Sequence, residues 1–166
     1  MVRLRAIVFA LAALLSAVGV LGITAPAHAD TRVTLTFKAQ LANVSNNTST
    51  YGDLQYGTTT LQGASLVTGE EVVVRRDSVV EYVAGTGPIG GFLTVTWKDG
   101  SRLSMRVSGS ALSDASGADF AASLVVFSAS GRWKGYQGQG VMRGTRSGAL
   151  GSPVTYTYRL TLSKAA

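Results

Sequence analysis

The chain has 166 residues, 15 Lys and Arg against 9 Asp and Glu, a net charge of +6, one histidine and no cysteine. The missing cysteines exclude disulfides, thiol nucleophiles and thiolate metal sites. The one histidine, His28, stands in a stretch marked for removal, so imidazole chemistry is excluded with it.

Residues 1–29 have the three parts of a secretory signal peptide. Arg3 and Arg5 supply the positive start, Ala6 to Gly22 an apolar helix, and Ala27-His28-Ala29 a small-x-small cleavage site after Pro26. The apolar run is close to the ~18 residues that can span a membrane. The small residues at its end favour cleavage between Ala29 and Asp30 over a retained anchor. The expectation is a secreted protein with no stable membrane insertion after cleavage. Removing 29 residues from 166 leaves 137, and losing Arg3 and Arg5 lowers the net charge to +4. That is the length of one domain, residues 30–166, with enough chain to bury its own core. Its bases are scattered, with no run of five or six and no dense stripe, so no nucleic-acid partner is expected.

The remaining pattern is β throughout. Val33, Leu35, Phe37, Ala39 and Leu41 alternate with Thr34, Thr36, Lys38 and Gln40, which predicts a half-buried strand. Residues 43–57 are rich in Asn, Thr, Ser and Gly and read as a polar rim loop. Strands are predicted over 58–67 and 71–83, and residues 84–91, rich in glycine, read as a turn. Residues 92–98 alternate again, Asp99-Gly100 marks a tight hairpin turn, and 102–112 returns as the partner. Ser113 to Gly117 is a further turn. Strands follow over 120–128, 138–146 and 154–162. The last sets Val154, Tyr156, Tyr158, Leu160 and Leu162 on one face. Eight antiparallel strands in one domain predict a closed barrel, which leaves no unpaired edge. An eight-stranded barrel has an interior wide enough for side chains or one small ligand. Small residues inside the strands, such as Gly63, Gly109 and Gly144, read first as sites of curvature and close packing.

From the turn after the sixth predicted strand into the start of the seventh, Gly131, Gly135, Gly138 and Gly140 are interleaved with Trp133 and Tyr136. Glycine permits sharp turning, and the aromatics anchor the turning chain, so the segment reads as a corner plugged by an aromatic. Here the chain resembles the allene oxide cyclase-like and dirigent-like β-barrels. The resemblance rests on the apolar run Leu124 to Phe127, then Gly131, Trp133, Gly135, Gly138 and Gly140, with Gly85-Thr86-Gly87-Pro88, Gly90-Gly91-Phe92 and Asp99-Gly100-Ser101 upstream. Ser128-Ala129-Ser130 stands where that group more often has successive glycines. The resemblance implies an eight-stranded antiparallel barrel with an apolar cavity. It also implies hydrophobic small-molecule partners, steered in cyclisation or coupling by shape and a few polar contacts, and no metal or organic cofactor. It carries no catalytic residue over to this chain.

Without histidine or cysteine, a site here must use Tyr, Arg, Lys, carboxylates or backbone groups. The candidates facing a cavity are Arg76, Glu81, Tyr82, Trp97, Tyr156 and Tyr158. Arg76 and Tyr82 share one face of their strand; Arg75, Asp77 and Glu81 share the other, so only one of Glu81 and Tyr82 can enter the barrel. Trp97 shares a face with Leu93 and Val95 and reads as core before platform. No metal site is expected. Two functions remain open: a barrel that binds a small apolar molecule or acts structurally, and a cofactor-independent cyclase or stereo-directing protein.

Overall fold

In a strand, successive side chains point to opposite faces, so an alternating sequence becomes a sheet with one apolar side. Residues 31–164 are described by a computed structural model; the signal-peptide reading, with Ala29 and Asp30, lies outside them. Eight strands follow one another: β1 (Arg32–Tyr51), β2 (Leu54–Val67), β3 (Glu70–Val83), β4 (Gly87–Trp97), β5 (Arg102–Asp114), β6 (Gly117–Ser130), β7 (Tyr136–Ser147) and β8 (Val154–Lys164). Each pairs antiparallel with its neighbour in sequence, and β8 returns to β1. The closing ladder runs unbroken from Arg32 opposite Ser163 to Leu41 opposite Val154. The predicted eight-stranded antiparallel barrel is therefore the fold, closed and without a free edge.

The apolar face of every strand turns inward. Leu35, Leu41, Leu93, Leu103, Met105, Leu124, Met142, Leu160 and Leu162 are fully enclosed, and they fill the barrel along most of its length. Thr34, Thr36, Lys38, Thr157, Arg159 and Thr161 project into solvent from β1 and β8. Among the described residues, no helix is long and apolar enough to cross a membrane.

Up-and-down order places the turns alternately at the two ends. One end carries the β2–β3, β4–β5 and β6–β7 turns and is closed by aromatic rings. There Trp97 lies 5.2 Å from Trp133, which meets Tyr136 edge-on at 5.4 Å. Arg132 sits 5.2 Å over Trp97 and grips Glu70 with two hydrogen bonds of 3.0 and 2.8 Å. Gly131 has a φ of +63°, and a Cβ there would fall 2.3 Å from the Ser101 hydroxyl, which accepts from the Arg132 amide. Glycine is required at this corner by both conformation and space.

Two sequence expectations are corrected. Residues 43–57 are not a loop: β1 continues to Tyr51 and pairs with β2 as far as Leu54, leaving only Gly52 and Asp53 to turn. Backbone pairing continues past the point where apolar alternation stops, because side chains on both faces there are solvated and the ladder needs only N–H and C=O groups. Similarly, the β3–β4 turn is confined to residues 84–86, and Gly87 to Gly91 belong to β4. Gly91 lies against β3, where a Cβ would meet the Asp77 carbonyl at 2.0 Å. Gly85 does turn the chain, whereas Gly87 and Gly91 serve close strand packing.

The packed barrel sets an expectation for stability. Leu103→Ala should cost about 2–5 kcal/mol, because Leu103 is fully enclosed and the ladders limit collapse around the void. Thr34→Ala, on the outer face, should stay within about 0.5 kcal/mol. Urea unfolding of both variants checks this; equal midpoints would contradict the inside–outside assignment.

Candidate functional site

Two arginines enter the barrel. On β3, Arg76 has the same parity as Val72, Val74, Val80 and Tyr82, and is 2% exposed; on β7, Arg146 follows Met142 and Gly144 inward and is 8% exposed. Among the described residues neither forms an ion pair with a carboxylate. The acids flanking Arg76 along β3 are on the outer face: Asp77 is held by Arg75 at 2.9 Å and by Thr60 at 2.8 Å, and Glu81 is exposed.

Arg76 Nη1 donates to the Tyr156 hydroxyl, and its guanidinium lies 5.2 Å over the Tyr156 ring. Its Nε and Nη2 have no partner, and neither have the Ser78 and Tyr158 hydroxyls. Arg146 donates from Nε to the Gly148 carbonyl at 3.3 Å and lies 5.7 Å over Phe120. The rings form a continuous wall: Phe120 is 5.7 Å from Tyr156, Tyr156 is 5.8 Å from Tyr158, and Tyr158 stacks on Phe37 at 4.7 Å. Gly144 makes room for Tyr156, since a Cβ there would sit 2.3 Å from the ring edge.

Part of this cluster surrounds a cavity of about 30 Å³ at the β7–β8 end of the barrel. That is space for about two waters. Arg76, Ser78, Tyr82, Thr59, Phe120, Arg146 and Tyr156 line it, and Leu150, Gly151 and Ser152 of the β7–β8 turn roof it. A larger hollow of about 550 Å³ lies on the outer wall beside Lys38, Leu112, Asp119, Arg143 and Thr157. Its polar side chains are solvated, so it lacks the unpaired buried groups of the inner site.

Burial pushes the phenols of Tyr82, Tyr156 and Tyr158 up from their ordinary values, while the Arg76 charge pulls each of them back in part. All three keep their protons near neutral pH. The site is therefore a cluster of donors, two of them fixed cations, with aromatic walls and no anion of its own. A buried charge without a partner is costly by several kcal/mol, and an unpaired buried donor by about 1–3 kcal/mol. The core must offset that cost, or water in the cavity or a bound group must supply the missing acceptors.

Of the residues singled out in the sequence, Arg76, Tyr82 and Tyr156 meet around this cavity. Tyr158 lies beneath Tyr156, fully buried, and does not line the cavity. Glu81 is corrected: period-two alternation turns it to the outer surface. Trp97 is also corrected: it closes the opposite end of the barrel with Trp133 and lines neither the inner cavity nor the outer hollow. The glycine-spaced corner with Gly131, Trp133, Gly135, Gly138 and Gly140 lies at that same far end. Sequence reading missed Arg146, Ser78, Thr59 and Phe120. Arg146 was legible in principle, because it shares parity with Gly140, Met142 and Gly144, whereas Arg143 does not.

The raised phenols predict an alkaline weakness. Each is protonated when folded and ionises near pH 10 when unfolded. Their contribution is complete below about pH 10 and is lost as pH rises through the folded values, by at most roughly 1.4 kcal/mol per pH unit for each buried tyrosine. Tyr158→Phe should reduce this slope by one tyrosine's share, and should not destabilise the protein at pH 7, because the Tyr158 hydroxyl has no partner. Denaturant titrations between pH 8 and 11 check this; an unchanged slope would contradict it.

No protein-family profile and no curated protein sequence matches this chain. Two solved structures do. The pterocarpan synthase dirigent protein PsPTS1 superposes with a TM-score of 0.56 at 10% identity, covering 81% of this chain and 96% of that one. The pterocarpan synthase dirigent protein GePTS1 gives a TM-score of 0.51 at 12% identity, covering 82% of this chain and 90% of that one. At such identities the likeness is one of architecture, and residue roles do not transfer with it. The chain thus has the eight-stranded barrel fold of the dirigent proteins.

Proposed function

We propose that the protein is exported and binds one small, largely apolar molecule at the β7–β8 end of its barrel. The observation that carries this is the unpaired Nε and Nη2 of Arg76, buried beside a cavity and aromatic walls. Elsewhere the barrel is filled by its own side chains, and the opposite end is closed by Trp97 and Trp133. The pattern of residues 1–29 supports export. Phe120, Val80, Leu61 and Val154 supply the apolar lining that small-molecule sites use, with a few polar groups to fix orientation.

About 30 Å³ does not hold an organic molecule, so the ligand enters by displacing the roof. The β7–β8 turn is lightly tied. The Gly148 amide reaches the Ser116 carbonyl at 3.4 Å, and the Ser152 amide reaches Ala149 within the turn at 3.1 Å. Such a segment opens at little cost compared with a strand.

A second reading is a stereo-directing protein of the kind named in the two structural relatives, pterocarpan synthase dirigent proteins. It is favoured by donors placed at the cavity, which can orient a reacting molecule without a nucleophile or cofactor.

Binding is tested with 2-naphthol and indole as neutral aromatic probes, followed by NMR of the purified protein. The proposal expects saturable shifts in Phe120, Tyr82 and Tyr156. Gly144→Ala, which crowds Tyr156, should weaken binding tenfold or more while the β-sheet circular dichroism is retained. No saturable shift with either probe, or shifts confined to the outer wall, would overturn it.

A further inference from the structure

Resting on the reading that this end of the barrel takes a small molecule, we propose that the molecule carries a carboxylate, seated on Arg76 and Arg146 beneath the β7–β8 turn. Arg76 spends Nη1 on Tyr156, and Nε and Nη2 remain. Those two nitrogens form one edge of the guanidinium, and their N–H bonds run parallel. That edge is the fork that receives the two oxygens of a carboxylate side by side. Lysine could not present it, and a single neutral acceptor would satisfy only half of it.

Charge points the same way. Two guanidinium groups line one small cavity, and no carboxylate among the described residues pairs with either. The acids flanking Arg76 on β3 point out of the barrel, so no described carboxylate neutralises the site from within. A neutral ligand with an acceptor would meet part of the donor edge but leave both charges uncompensated. An anionic group removes that cost, so its binding is favoured over that of a neutral molecule of equal shape. Tyr82 and Tyr156 add protonated phenols at the same cavity, and Phe120 and Val80 leave room only for an apolar remainder. The class defined is a small carboxylic acid with an aromatic or aliphatic body. Tetrahedral oxyanions share the charge but carry more oxygens than the free edge of Arg76 can meet.

The test compares benzoate with benzamide, which has nearly the same shape and no charge, and with inorganic phosphate. Binding to the wild-type protein is read from the Arg Nε–Hε signals in 15N NMR. Benzoate should shift the Arg76 and Arg146 signals downfield and bind at least tenfold more tightly than benzamide or phosphate. Arg76→Gln should cut benzoate affinity tenfold or more and leave benzamide within threefold; Arg146→Gln provides the same test should the first variant fail to fold. If benzamide matches benzoate, the carboxylate is refuted while small-molecule binding stands. If phosphate binds best, the site is for tetrahedral anions and the proposal fails. If benzoate moves only exposed arginines such as Arg159 and Arg143, or nothing at all, it also fails; the neutral probes then decide separately whether the end of the barrel binds anything.

Discussion

The pairing of β8 with β1 is the interaction on which the rest of the molecule depends. Closure turns a sheet with two faces into a wall with an inside and an outside, and period-two alternation then assigns every strand residue to one or the other. The register from Arg32–Ser163 to Leu41–Val154 leaves no freedom in that assignment. A slip of one residue would expel Leu35, Phe37, Ala39 and Leu41 and admit Thr36 and Lys38. The same logic that buries the leucines also buries Arg76 and Arg146. Their presence inside follows from position; their lack of a counter-ion is the feature that calls for a function.

The two ends of the barrel treat arginine in opposite ways. At the tryptophan end, Arg132 is held by Glu70 and covers Trp97, so its charge is matched, and the groups left unpaired there are the neutral indole N–H donors of Trp97 and Trp133. At the other end, Arg76 has a ring and one phenol but keeps an unused donor edge. The first arrangement closes a core. The second is organised by Tyr156, Gly144 and the aromatic wall and leaves donors without acceptors, and the proposed binding site rests on that difference. Real sequences depart from full polar satisfaction mainly at functional positions.

Much of the architecture was legible because the alternation is regular. The run from Val154 to Leu162 alone shows its inner face, and Asp99-Gly100 shows a hairpin. The strand extensions at 43–57 and 87–91 were not legible. Exposed Asn and Thr carry no apolar rhythm there, and glycines that pack against a neighbouring strand look like glycines that turn. Arg76, Tyr82 and Tyr156 could be listed from parity, but Trp97 obeys the same parity and sits at the far end. Parity gives the face, not the depth along the barrel, and depth depends on strand register and tilt. Glu81 was excluded from the cavity only once its neighbour Tyr82 was placed inside. Arg146 was obscured by the glycines before it, which dilute the alternation of its strand.

The central claim is that Arg76 is buried at a cost to the fold because it binds something. The most direct measurement is the unfolding free energy of Arg76→Met without ligand. Replacing a poorly paired buried cation with an apolar side chain of similar length should leave stability unchanged or raise it, by up to about 4 kcal/mol. A loss of about 3 kcal/mol or more, the size expected when a matched buried pair is broken, would mean that the arginine is an ordinary part of the core and would contradict the account.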